Sequence, residues 1–447
     1  MTSCVEHTEA CLAAAHAHNP RLHALIDIYD DQALAAAQAA DAATARGASL
    51  GLLHGMTVSV KANIDVAGQR TSAGAAFLAD NIPTADAPVV ARLRQAGAVI
   101  IGSANMAELA FGSRSFSAVG GQCRNPWDAQ RIPGGSSGGS AVSVAANMCT
   151  GSLGTDTGGS VRLPASFNGV SGLRPTHGRI PIRGVLPVSE HNDTVGPLAR
   201  DVRDVARLFA VLAGYDAQDA TSVDAPLANF LPTLGQGVAG VTIGLPRNHY
   251  FESLQPAVAE AVMAAAKSLE RAGAKLVEVD VPGAEDAHRH MSRAVFSDVC
   301  HVFHDRLKNA PETITASVVE RMRHGFEVTG IQYAEAMAFR NQLRLGLRGV
   351  FSQVDILLSP TSPLAAPLIE DGANLLEATK AVTRNTYAGA LASLPGLSVP
   401  CGFTPQGLPI GLQLEAAWWQ EPLLLRAGVA YQQDTEFHRR QAPLSRD

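Results

Sequence analysis

A chain of 447 residues has room for a large core, as one big domain or as two to three ordinary ones. With 46% hydrophobic and 17% charged residues it is globular, neither disordered nor fibrous. A net charge of −6 without long Lys/Arg runs speaks against a nucleic-acid-binding face.

The opening MTSCVEHTEACLAAAHAH lacks the charged-then-apolar order of a signal peptide. Apolar residues recur at helical spacing from Cys4 to Ala17 and from Gln32 to Ala45. Alternation in MTVSVK predicts a strand over Met56–Lys61. A helix opening at Ala87-Pro88 runs to Gln95, Gly97 stops it, and AVIIG follows as a short buried strand. The next feature is RIPGGSSGGS, Arg131 to Ser140, loose in composition yet running into the apolar helix AVSVAANM. The uncharged stretch 132–155 is long enough to span a bilayer, but Gly and Ser break it too densely to face lipid, so no membrane segment is expected. Residues 216–240 read as a surface excursion.

Strand–helix alternation then becomes clear. VTIGLP leads to a helix from Pro256 that turns Val258, Val262 and Leu269 inward and stops at Gly273. KLVEVDVP, VDILLSP, GLSVPCG and IGLQLE follow as strands, and EPLLLRAGVAYQQ closes as a helix. Strands separated by helices predict an α/β fold, here a single large domain over 1–447 with a mixed central β-sheet covered by helices.

Several motifs carry little. The six cysteines are scattered without CxxC and are expected to be free thiols in a reducing compartment. His288, His290, His301 and His304 are expected on solvated helix positions, and no zinc spacing occurs. GxGxxG at Gly235, Gly237 and Gly240 precedes a strand instead of following one, and no P-loop exists. GxSxG centred on Ser136 or Ser137 lacks the strand that a nucleophile elbow needs.

Three features act together. GTDTGGSVRLP is a second Gly/Ser segment, whose successive N–H groups can face one concavity. Lys61 ends an apolar strand, where burial would lower its pKa and make it a base near neutral pH. Together HGMTVSVKANIDVAG, RNPWDAQRIPGGSSGGSAVSVAAN and LGTDTGGSVRLPASFNGVSGLRPTHGR resemble the amidase signature family, with the core of the likeness over 54–200. It continues through DTVGPLARDV, VDILLSPTSP and LPGLSVPCGFTPQGLPIGLQL and so covers nearly the whole chain.

The resemblance implies a Ser–Ser–Lys triad. Lys61 would be the base, Ser136 the bridging serine behind a cis peptide bond, and Ser160 the nucleophile. The N–H groups of Thr157, Gly158, Gly159 and Ser160 would form an oxyanion hole, supported by Asp156, Arg162 and Ser137. Asn63, Asp65, Asn105 and Glu108 would be structural. The implied activity is hydrolysis of a carboxamide or related C–N bond through an acyl-enzyme, without metal or organic cofactor. The expected partners are a small-molecule amide and possibly a second copy of the chain, with no nucleic acid and no membrane, in the cytoplasm.

A second reading is the A-type subunit of a glutamine-dependent tRNA amidotransferase, acting with partner subunits. THGRIPIRG weighs against it, because those subunits favour a YGRVSRYG-like segment there. Ala62 stands where an aspartate is frequent, the usual N-terminal extension is short, and SEHNDTVGP carries extra residues before Asp193. Substrate choice is expected to lie in Val281–Ala338 and Leu364–Leu394, where His288, His290, His301, His304 and Arg306 are candidates; a small aryl or aliphatic amide is the default.

Overall fold

The computed structural model describes residues 3–48, 50–370 and 375–444. Thirteen strands are formed among them. They are β1 (Leu25–Ile28), β2 (Thr57–Lys61), β3 (Val99–Ala104), β4 (Phe116–Ser117), β5 (Gly121–Gln122), β6 (Gly151–Thr155) and β7 (Ser171–Arg174). Then follow β8 (Val195–Ala199), β9 (Thr242–Pro246), β10 (Lys275–Val279), β11 (Ile356–Pro360), β12 (Gly396–Phe403) and β13 (Pro409–Ala416). Strands β4 and β5 pair as a small hairpin, and the other eleven build one sheet.

The sheet order is β1-β3-β2-β6-β8-β7-β12-β13-β11-β9-β10. It is mixed, as the strand–helix alternation implies. Strand β2 lies parallel to both β3 and β6, whereas the successive pairs β6–β8, β8–β7, β7–β12 and β12–β13 are antiparallel.

Helices cover both faces. Pro88–Gln95, Val202–Leu212, Pro256–Arg271 and Glu421–Asp434 bury one apolar stripe each against one face. Cys4–Leu22, Asp30–Ala45, Gly138–Ala145 and Arg162–Asn168 cover the opposite face. Local chemistry sets their ends. Ser3 and Glu6 form a reciprocal capping box on the first helix, and Pro88 and Pro256 each occupy a first turn, where no intrahelical N–H is needed. The first helix outruns its predicted end at Ala17 and reaches Leu22.

Strands β6 to β8 escaped the sequence reading for a physical reason. All are buried on both faces, so their sequences do not alternate, and glycines break their apolar runs. The glycines permit close strand approach. A Cβ on Gly196 of β8 would sit 2.2 Å from the Leu173 carbonyl oxygen of β7.

All six cysteines are free, and no helix among the described residues is long and apolar enough to cross a membrane. Residues 371–374 of the Leu364–Leu394 segment lie outside the described residues.

Candidate active site

Lys61 is the last residue of β2 and is wholly buried. Its Nζ lies 2.7 Å from Ser136 Oγ, 2.7 Å from Thr155 Oγ1 and 3.5 Å from the Thr155 carbonyl. Thr155 ends β6, the neighbouring parallel strand, so strand pairing itself brings the amine to its partner. Burial pushes the Lys61 amine down to about 7, against the raising fields of Asp193 and Asp156. A lysine so placed can accept a proton at neutral pH.

Ser136 follows a cis peptide bond, Gly135–Ser136. The Gly/Ser stretch around it is tightly packed despite its loose composition. A Cβ on Gly139 would stand 2.3 Å from the carbonyl oxygens of Ala24 and Asn105, which leaves no space for a side chain. Ser137 ties this loop to the sheet: its Oγ donates to the Thr155 carbonyl at 3.0 Å and accepts from Thr155 N–H at 3.2 Å. The Ser137 N–H also donates to the Ser160 carbonyl at 3.2 Å, which joins the two Gly/Ser segments back to back.

Ser160 lies between β6 and helix Arg162–Asn168, half-buried, on a cavity of about 50 Å³. Phe111, Gly112, Ser113, Gly135, Thr157, Gly158, Gly159 and Leu163 line it from the chain around Ser160. Val188, Met291, Val295, Arg321, Thr379, Thr383 and Tyr387 line it from more distant parts of the chain.

Asp156 holds the Ser160 loop. Its carboxylate accepts from Gly159 N–H at 2.7 Å and Val161 N–H at 3.1 Å, and pairs with Arg162 at 3.1 Å and Arg174 at 2.9 Å. Burial pushes this carboxyl up, but Arg162 and Arg174 outweigh it and hold the group well below the usual carboxylate range. The Gly159 N–H, at a residue with φ of +131°, is committed to Asp156 within the loop. Thr157, Gly158 and Ser160 also line the cavity.

Other sequence candidates fall outside this chemistry. Asn105 bonds the His23 carbonyl at 2.8 Å, and Glu108 accepts from Thr315 N–H at 3.2 Å. Asn63 reaches Thr155 Oγ1 at 3.3 Å, at the edge of the Lys61 cluster. His288 and His290 are not solvated as expected: they stack on Tyr387 and Phe339 at 4.7 and 4.1 Å, and burial pushes His288 down to about 4. His301 and His304 are exposed, and Arg306 lies over the Phe77 ring. Among the described residues, no group of three His, Cys, Asp or Glu could hold a metal.

Two functional candidates escaped the sequence reading. Asp193 was visible within DTVGP but unassigned; its carboxylate reaches Thr157 Oγ1 at 2.5 Å. Arg321 gave no signal, because SVVERMRHG reads as an ordinary charged helix. It is nevertheless 9% exposed and lines the Ser160 cavity, its Nη1 donating to the Phe111 carbonyl at 3.1 Å.

The sequence profile of the family "Amidase" matches residues 6–425. The chain belongs to the amidase family. It is an amidase signature enzyme, a hydrolase of C–N bonds. Among curated relatives, the glutamyl-tRNA(Gln) amidotransferase A subunit of Myxococcus xanthus is 38% identical, over 98% of this chain and 95% of that protein. Its counterpart in Synechococcus sp. is 37% identical, over 98% and 96%. A solved structure described as an unexpected vestigial protein complex, revealing the origins of an s-triazine catabolic enzyme, superposes with a TM-score of 0.92. It is 34% identical and covers 97% of this chain and 96% of its own. The crystal structure of the glutamyl-tRNA(Gln) amidotransferase A subunit from Thermotoga maritima gives 0.83 at 30% identity, covering 97% and 94%.

These relatives overturn one expectation. The sequence predicted a small-molecule amide and possibly a second copy as partners, with no nucleic acid. The relatives are subunits by name, of an enzyme named for a charged tRNA. Net charge is a poor guide for one member of an assembly, since the cationic surface that meets RNA can reside on another chain.

Proposed function

We propose that this chain is the A-type, amide-hydrolysing subunit of a glutamine-dependent amidotransferase that acts on glutamyl-tRNA(Gln) with partner subunits. Support comes from the curated relatives, each covered over about its whole length, and from a solved relative described as a protein complex. The observation that carries the donor assignment is Arg321. It is a nearly buried guanidinium on the nucleophile's cavity, and no carboxylate lies within salt-bridge distance of it among the described residues. Its Nε has no hydrogen-bond partner. A guanidinium so placed fits the carboxylate of an incoming amide acid such as glutamine.

In this reading neutral Lys61 takes the Ser136 hydroxyl proton, and Ser136 takes that of Ser160. Ser160 Oγ attacks the amide carbon while N–H groups of Thr157, Gly158 and Ser160 receive the oxyanion. The relay then returns a proton to the leaving nitrogen, ammonia departs, and water releases the acyl group by the same route. Because the neutral amine is the base, turnover should rise with pH. Half-maximum is expected near the Lys61 value of about 7, as a single acid limb in kcat/KM.

A second reading keeps this chemistry and changes the donor. Among the described residues, the cavity lining includes no carboxylate to hold an α-ammonium group, which favours an amide acid without one. Ammonia release from glutamine and from glutaramic acid, with and without added partner subunits, separates the two. A preference for glutamine supports the first reading; a strong preference for glutaramic acid overturns it. In either case Arg321→Met should lower kcat/KM for the preferred acid by about 10–10²-fold, mainly through KM, since a charged hydrogen bond is worth ~1.5–3 kcal/mol. An unchanged KM would remove Arg321 from recognition.

A further inference from the structure

The extra residues before Asp193 in SEHNDTVGP belong to the loop that leads into β8 and meets the Ser160 segment at Thr157. Asp193 is 4% exposed overall, and three donors converge on its carboxylate. Thr157 Oγ1 donates to Oδ1 at 2.5 Å, and the N–H groups of Val188 and Ser189 donate to Oδ2 at 2.8 and 3.0 Å. Burial pushes the Asp193 carboxyl up, and these three donors, which favour the ionised form, work against it. Unlike Asp156, it has no Arg or Lys within salt-bridge distance among the described residues. A buried carboxylate without an ion pair is costly and calls for a reason to keep it.

Two neighbours supply one. Thr157 precedes the glycines of the Ser160 loop, and Asp193 is the acceptor for its hydroxyl. The second is Lys61: its partner Thr155 pairs across β6 and β8 with Val195, two residues beyond Asp193, and the Asp193 carboxylate supports the charged amine from there. The remaining charged groups are spoken for. Arg162 and Arg174 face Asp156, Glu415 faces Arg162, and His177 Nδ1 donates to the Asp193 backbone carbonyl at 3.0 Å.

We propose that Asp193 is a positioning residue with two effects: it anchors Thr157 so that its N–H faces the developing oxyanion, and it is the counter-charge for Lys61 as that lysine takes the proton. The inference rests on Ser160 as nucleophile and is independent of which amide is the donor. Catalytic donors count only if held in place before charge develops. The carboxylate therefore links the two halves of one step, the arrival of negative charge on the oxyanion and of positive charge on Lys61.

The test is the rate at which a fluorophosphonate labels Ser160, read by mass spectrometry across about pH 5–9. This probe needs no amide donor, so its result is separate from the ammonia assays. Asp193→Asn should label about 10²-fold more slowly, the range for losing an oxyanion donor. Its pH midpoint should also fall below that of the wild type, because the lysine loses a stabilising negative field. Thr157→Val removes only the hydroxyl anchor and should slow labelling while leaving the midpoint in place; Thr157→Ser should restore the rate. Wild-type rates in Asp193→Asn, or slowing with an unmoved midpoint, overturn the proposal. Should Asp193→Asn fail to fold, the threonine pair decides, and a wild-type rate in Thr157→Val overturns the anchoring role.

Discussion

Ser160→Ala is expected to abolish ammonia release, by about 10⁴-fold or more in kcat, with the fold intact. The side chain is half-buried at a cavity edge, so removing one oxygen leaves no large void and thermal unfolding should be little changed. The chemical effect is large because no covalent route remains; residual activity can come only from binding and the oxyanion donors. Lys61→Ala should cost nearly as much, and the double variant little more than either alone. Groups that pass one proton along a chain act as a unit, so their losses do not add. Lys61→Ala differs in stability: its loss leaves Ser136 Oγ and Thr155 Oγ1, both bonded to Nζ at 2.7 Å, without that donor. Retention of more than a tenth of wild-type turnover by Ser160→Ala would remove it as nucleophile.

The second large effect is on stability. Arg162→Ala is expected to lower the unfolding free energy by about 3–5 kcal/mol, the usual result of breaking a buried pair from one side. Arg162 is wholly buried and donates to Asp156 through Nε and Nη2, to Gln413 at 3.0 Å and to the Thr386 carbonyl. Its removal strands part of the Asp156 charge, which Arg174 alone then offsets. It also releases Glu415, whose carboxyl burial has pushed up to about 7. The double variant Asp156→Asn/Arg162→Met should recover part of the loss, since both charges go and the volume is largely kept. Denaturant melts of the three proteins give the comparison. A loss under 1 kcal/mol in Arg162→Ala would show that the cluster does not depend on this arginine.

Much of the arrangement was legible in the sequence because backbone demands are written in residue types. Pro256 and Gly273 bracket a helix that forms as Pro256–Arg271, and the paired Gly/Ser segments marked where backbone packs on backbone. Lys61 was visible as a lysine inside an apolar strand, and the structure sets it beside Ser136. Other parts were not legible. Strands β6, β7 and β8 lie inside the sheet with no wet face, so the alternation that betrays a strand is missing. Arg321 and Asp193 owe their importance to what surrounds them after folding, a property no local window carries. His288 misled for the same reason: its helical spacing matched a wet face, whereas Tyr387, distant in sequence, covers its ring.

The residues that line the cavity have unlike origins. Those around Ser160 come from short stretches between Phe111 and Leu163, with Lys61 behind them on β2. The rest come from distant stretches, at Val188, Met291 and Val295, Arg321, and Thr379 to Tyr387. Inheritance can act on these independently. Arg321, Thr379 and Thr383 line the cavity without belonging to the proton path, so under the proposed mechanism a lineage can switch nitrogen sources there and retain its reaction. Among close homologues, those that differ only at Arg321, Thr379 and Thr383 are therefore the ones to compare for a change of diet.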